Sequence, residues 1–203
     1  MKTEERVKYY DGFVVEDGQE VTAEAARGLA NHAKAFFSAP GQLDRVELYS
    51  RGKLSRVDYP GERSDDDVKA THSKMYKGVG FTTRRKLTAV RDLIWEEAHS
   101  YSASGGLEGF TLILQGQSGR GLMEVNLDKN KKVLGVTKYY WEDPDDLRYV
   151  FEYNQGGRLV SVYDLMYGDQ ASFEDLKKAL PDSHFFESGL NLPREIANTA
   201  IPL

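Results

Sequence analysis

Alternation between hydrophobic and polar positions dominates this chain. Val7 and Tyr9, then Phe13 and Val15, flank the turn dipeptide Asp11-Gly12, which predicts an opening hairpin over residues 6–16. The period then changes. Ala26, Leu29, Ala30, Ala33, Phe36 and Phe37 follow three-and-four spacing from Ala23, with Thr22 placed to cap the free amides and Pro40-Gly41 to end the run, so a first helix is predicted there.

Three later segments repeat one hairpin plan. Val46 and Leu48 lead to Arg51-Gly52 and return through Leu54 and Val57. Val125 and Leu127 lead to a turn at 128–131 and return through Val133 and Val136. Val150 and Phe151 lead to a turn at 154–157 and return through Leu159 and Val162. Such period-two patterns leave one sheet face apolar and the other wet, as in antiparallel pairing. Residues 109–115, around Phe110, Leu112 and Leu114, add a strand before the last two hairpins. A second helix is predicted from Leu87, Val90, Leu93, Ile94 and Ala98 behind Thr82 or Thr83. A third is predicted over 173–180, from Ser172 and Asp175 to the stop at Pro181. The tail beyond it, with Phe185, Phe186, Leu190, Leu192 and Ile201, is too apolar to hang free and is expected to pack over the sheet. The expectation is therefore an α+β fold, an antiparallel hairpin-rich sheet with two or three helices packed on one face. The 203 residues read as a single domain, 1–203, with a candidate internal loop boundary at 102–106 (SASGG).

Composition narrows the chemistry. The chain has no cysteine, which excludes disulfides, thiolate metal sites and thiol nucleophiles. No run of more than three apolar residues exists in it, so neither a signal peptide nor a membrane span is expected, and a cytoplasmic protein is. Net charge is -5, and it is unevenly spread. Between Val68 and Arg91 the chain carries Lys69, Lys74, Lys77, Arg84, Arg85, Lys86 and Arg91 with no carboxylate between them. That segment suits an anion or nucleic-acid contact through Lys74, Lys77, Arg84, Arg85 and Lys86, or else a solvated face balanced by Asp65, Asp66 and Asp67. In the opposite sense, Glu142, Asp143, Asp145 and Asp146 crowd beside Tyr139, Tyr140 and Trp141. Rings beside acids suit docking of a basic partner, the rings supplying area and the carboxylates steering encounter; a solvated turn around Pro144 is the plainer alternative.

No constellation identifies a reaction. Glu96 and His99 have E-x-x-H spacing on the second predicted helix, but a carboxylate-bridged metal pair needs that motif twice, so no metal site is expected. The loop at 116–121, GQSGRG, joins two alternating strands rather than a strand and a helix. It lacks the Lys-Ser/Thr ending of a phosphate loop and reads as a wide hairpin turn. Ser100, Ser102 and Ser104 lie outside any G-x-S-x-G elbow, and no cofactor is implied.

Residues 149–164, YVFEYNQGGRLVSVYD, place Tyr153, Gly157, Arg158 and Leu159 ahead of Tyr163-Asp164. Through those residues the stretch resembles the YD repeats of the bacterial Rhs family. By analogy the resemblance points to the small acidic immunity proteins encoded with such systems, which bind and neutralise a cognate toxin domain. The expected function is thus a non-enzymatic inhibitor that occludes a basic toxin domain through Tyr139, Tyr140, Trp141, Glu142, Asp143, Asp145 and Asp146. The alternative is a phosphate- or nucleic-acid-binding protein or enzyme using residues 69–91. Self-association through sheet edges stays open.

Overall fold

A computed structural model describes residues 5–13, 15, 18–38, 41–61, 63–116, 118–143 and 146–203. The chain divides into two compact units, Met1–Arg85 with Ala98–Glu108, and Lys86–Glu97 with Gly109–Leu203.

The first unit begins with strand β1 (Arg6–Asp11), the two-residue β2 (Glu20–Val21) and the short helix α1 (Ala23–Gly28). β1 pairs antiparallel with β2, Tyr9 opposite Val21. Phe13 and Val15, expected as the return strand of an opening hairpin, fall between the two strands, and residues 14 and 16 of that hairpin lie outside the described residues. Thr22 accepts the Ala25 amide at 3.1 Å, as its capping chemistry requires. The helix stops at Gly28, however, and β3 (Asn31–Ser38) follows in extended form. The sequence pattern misled here for a physical reason. β3 lies between β1 and β4 (Gln42–Ser50) and buries His32, Ala33, Ala35 and Phe36 on both sheet faces. A strand buried on both faces shows no alternation, and its apolar positions mimic a helical stripe.

β4 returns through β5 (Lys53–Tyr59) at Arg51-Gly52, both with positive φ, the two-residue turn whose twist suits a hairpin. Helix α2 (Asp65–Met75) comes next. Ser64 accepts the Asp67 amide at its start, three aspartates occupy its first turn, and Lys74 sits in its last, all favourable to the helix dipole. It forms the crossover to β6 (Gly80–Val90), which runs parallel to β5 with Val57 opposite Phe81. Strand order in this unit is β6-β5-β4-β3-β1-β2. Val57, Tyr59, Val68, Phe81 and Tyr101 form one core cluster, and Tyr10, Ala33, Ala35 and Val46 another.

The second predicted helix does not exist. Residues 86–98 are extended, in β6 and in β7 (Leu93–Tyr101), separated by Arg91 at φ 54. Glu96 and His99, three apart on a strand, consequently project to opposite faces and form no E-x-x-H pair.

In the second unit, β8 (Leu107–Gly116), β9 (Gly121–Asp128), β10 (Val133–Asp143), β11 (Asp146–Asn154), β12 (Leu159–Asp164) and β13 (Asp169–Gln170) pair antiparallel in sequential order. The hairpins at 125–136 and 150–162 form as the alternation predicts, and β8 pairs antiparallel with β9 up to Gln115 opposite Gly121, while Gln117 of the loop expected to be a hairpin turn lies outside the described residues. Asp128 and Asn154 each accept two turn amides through their side chains, which fixes those turns locally. Leu112, Leu114, Met123, Val125, Leu127, Val136, Phe151, Tyr153 and Val162 share a core with Leu180, Phe185, Phe186, Leu192 and Ile196. The apolar tail thus packs over the sheet. It does so with little helix: α3 (Phe173–Leu176) spans four residues without a side-chain cap from Ser172, short of the predicted 173–180, α4 (Ser183–Glu187) five, and a 3₁₀ turn covers Arg194–Ile196.

Strand accounts for 52% of the described residues and helix for 15%. The expectation of an α+β fold with helices packed on one face is therefore overturned in favour of a sheet-dominated, mostly antiparallel fold. Two of the three predicted helices drew on apolar runs that the sheet itself consumes. No helix among the described residues is long and apolar enough to cross a membrane.

Candidate functional site

The Tyr139-Tyr140-Trp141 triplet lies near the end of β10, where its pairing with β11 is irregular. Tyr139 faces Val150 and Tyr140 faces Tyr149, but Trp141 faces Leu147, leaving Arg148 as an extra residue. Such a bulge raises local twist and re-aims the side chains beyond it. Residues Tyr139, Tyr140 and Trp141 all border one groove. Tyr140 stacks on Tyr149 at 5.9 Å and meets Phe186 edge-on at 6.1 Å. The Trp141 indole donates to the Gly121 carbonyl at 2.8 Å, which fixes the ring while leaving it half-buried. Tyr139 leans on the bare Cα of Gly121. Burial pushes its phenol up, and the Glu124 carboxylate beside it adds to the rise.

The opposite wall comes from the tail, as Pro181, Phe185, Phe186 and Pro193, and encloses about 230 Å³ with Leu122. Asp182 and Glu195 stand at the rim. Asp182 is occupied: it accepts the Arg194 amide at 3.1 Å and pairs with the Arg194 guanidinium at 3.2 Å. Glu195 is exposed, as are Glu142, Asp143 and Asp146 on the hairpin next to Trp141. Asp145, also expected at this site, lies outside the described residues. Glu142 approaches Arg148 at 3.9 Å. Ring faces carry negative potential and attract a cation over them, and adjacent carboxylates add to that attraction. The groove therefore has the size and polarity to take the end of one lysine or arginine side chain.

The triplet and its acids stand out in the sequence as candidates, but the wall opposite them does not. Phe185 and Phe186 are some 45 positions downstream, and their only signal was a tail too apolar to be free. Nor does the sequence mark the anchor holding that wall. Lys138 is fully buried, and its ammonium donates to the main-chain carbonyls of Phe185 (2.5 Å), Ser188 (2.7 Å) and Asn191 (2.7 Å). Burial lowers its pKa to about 7. Tyr153 donates to the Phe186 carbonyl at 2.7 Å, and the Gly157 carbonyl accepts the Gly189 amide at 2.9 Å. Tyr153 and Gly157, which carry the repeat resemblance, thus seat the tail that walls the groove.

The basic segment is not gathered on one element. Lys74 and Lys77 are exposed at and beyond the end of α2. Arg84, Arg85 and Lys86 are exposed on β6, where alternation turns Arg85 to the face opposite Arg84 and Lys86. Of the acids thought to balance them, Asp66 is exposed and lies 3.8 Å from Lys69, whereas Asp65 is committed elsewhere. It accepts Thr83 (2.6 Å) and Tyr101 (2.7 Å) and bonds His99 Nδ1 (2.6 Å), tying α2 to the sheet. Burial disfavours the Asp65 anion, but these three bonds outweigh it and hold the carboxyl below its usual value.

No protein family, curated protein or solved structure matches the chain.

Proposed function

We propose that this chain is a non-enzymatic cytoplasmic binding protein, an inhibitor of the immunity type, that captures a basic bacterial toxin domain at the groove of its second unit. The observation that carries this reading is the meeting of half-buried Trp141 and its two tyrosines with exposed Glu142, Asp143 and Asp146. A hollow of about 230 Å³ accepts one anchoring side chain, while a stable protein interface covers roughly 800 Å² per partner. The groove is thus the centre of a larger contact, with the acids at its margin. A buried aromatic centre and a charged margin divide the work between affinity and encounter rate.

The test begins with recovery of the partner from the native cell by the full-length chain and its identification by mass spectrometry. Calorimetry then compares wild type with a W141A/E142Q/D143N/D146N variant against the purified partner. A basic partner whose affinity falls at least about a hundredfold supports the reading. An acidic partner, or one bound equally by the variant, overturns it.

The exposure of Lys74, Lys77, Arg84, Arg85 and Lys86 supports a second reading, contact with a phosphate-bearing polymer. Affinity of that kind falls steeply with salt, and absence of any gel retardation of DNA or RNA at low salt dismisses it.

A further inference from the structure

The first unit contains a cavity of about 210 Å³. β5 turns Val57 and Tyr59 toward one core cluster, so Asp58 between them faces the other side of the sheet. There it sits between Val46 on β4 and Thr82 on β6. Phe13, Val15 and Leu43 supply apolar wall, and Arg84 completes the lining.

One buried polar atom in this cavity lacks a partner, and an exposed cation stands near it. Asp58 Oδ1 is buried without a hydrogen-bond partner among the described residues. Burial pushes this carboxyl upward, against the pull of Arg84, Thr82 and Arg56. Arg84 acts on Asp58 through space, and among the described residues its exposed guanidinium closes no salt bridge. An unpartnered buried carboxylate oxygen is costly, and a charged donor is the group that relieves it best. The guanidinium fork matches a carboxylate. The remaining wall rewards an aliphatic body. The volume is roughly seven times the ~30 Å³ share of one liquid water, the scale of a single amino acid rather than a nucleotide.

We propose that this cavity binds a small hydrophobic α-amino acid as its zwitterion, the ammonium on Asp58, the carboxylate on Arg84 and the side chain against Phe13, Val15 and Leu43. The site stands independently of the partner groove, in the other unit.

Calorimetric titration of the full-length chain with L-leucine tests it, beside leucinamide (no carboxylate), 4-methylpentanoate (no ammonium) and glycine (no side chain). Leucine binds at least about tenfold more tightly than each of the three. D58N abolishes the preference for leucine over 4-methylpentanoate and keeps that over leucinamide; R84Q does the reverse. Unfolding midpoints are measured for both variants, and if D58N does not fold, R84Q decides alone, because Arg84 is exposed. No heat with leucine, equal binding of all four compounds, or an unchanged preference in R84Q overturns the proposal.

Discussion

The Lys138 ammonium donates to the main-chain carbonyl of Asn191 at 2.7 Å, across 53 positions of sequence. Two more carbonyls, of Phe185 and Ser188, complete its three donor directions, and the ring of Phe185 lies 4.0 Å from the nitrogen. A single side chain from the middle of β10 thereby holds the tail that forms one wall of the groove.

Replacing Lys138 by methionine keeps most of the volume and removes the donors. Three buried carbonyls then lose a partner at once, which costs about 3 kcal/mol or more. Urea unfolding of K138M shows the loss. Hydrogen exchange places it, since the amides of residues 183–196 lose protection ahead of those in β8 and β9.

The same lysine makes stability depend on pH. Burial lowers its pKa to about 7 from 10.5, with the Asp182 charge pulling weakly the other way. Between those values the unfolded chain binds more protons than the folded one, so stability rises with pH in that window and is least below pH 7. The rise is at most about 1.4 kcal/mol per pH unit. It is read between pH 7 and 9, because above that the buried tyrosines, whose phenols burial raises, act in the opposite sense. K138M flattens the profile over this range, and a slope unchanged by the mutation contradicts the assignment.

Asp65 predicts an acid limb. Its carboxyl is held below the ordinary aspartate range in the fold, so its contribution is complete above the unfolded pKa and is lost as pH falls through the lower folded one. D65N removes the charge and one acceptor while leaving Thr83, Tyr101 and His99 in place, at a cost of about 1 to 3 kcal/mol at neutral pH. Denaturant midpoints at pH 7 and pH 3 converge for wild type and D65N if the carboxylate is responsible.

At the groove, ring and acid variants should differ in kind. W141A raises the dissociation rate of the basic partner by roughly a hundredfold with little change in salt dependence. E142Q/D143N/D146N chiefly slows association, and the slowing vanishes above about 0.5 M salt. Surface plasmon resonance over a salt series separates the two. Identical kinetic signatures would count against an aromatic centre with an acidic margin.

Much of this architecture is local in origin and was legible in the sequence. The turn at Arg51-Gly52, the side-chain-stapled turns begun by Asp128 and Asn154, and the Thr22 cap depend on residues within a few positions of one another. The ring triplet and its acids were readable for the same reason, being consecutive. What lies between sheet neighbours was not. Residues 31–38 and 86–98 have helix-compatible spacing, and pairing with strands far along the chain makes them extended, with burial on both faces in the case of 31–38. Phe185 and Phe186 become a wall because Lys138 and Tyr153 hold their carbonyls, and Asp58 meets Arg84 because a parallel crossover sets β6 beside β5. Sequence fixes backbone preference over a few residues. Which side chains share a groove or a cavity depends on burial against partners far along the chain, and that energy exists only once the sheet has assembled.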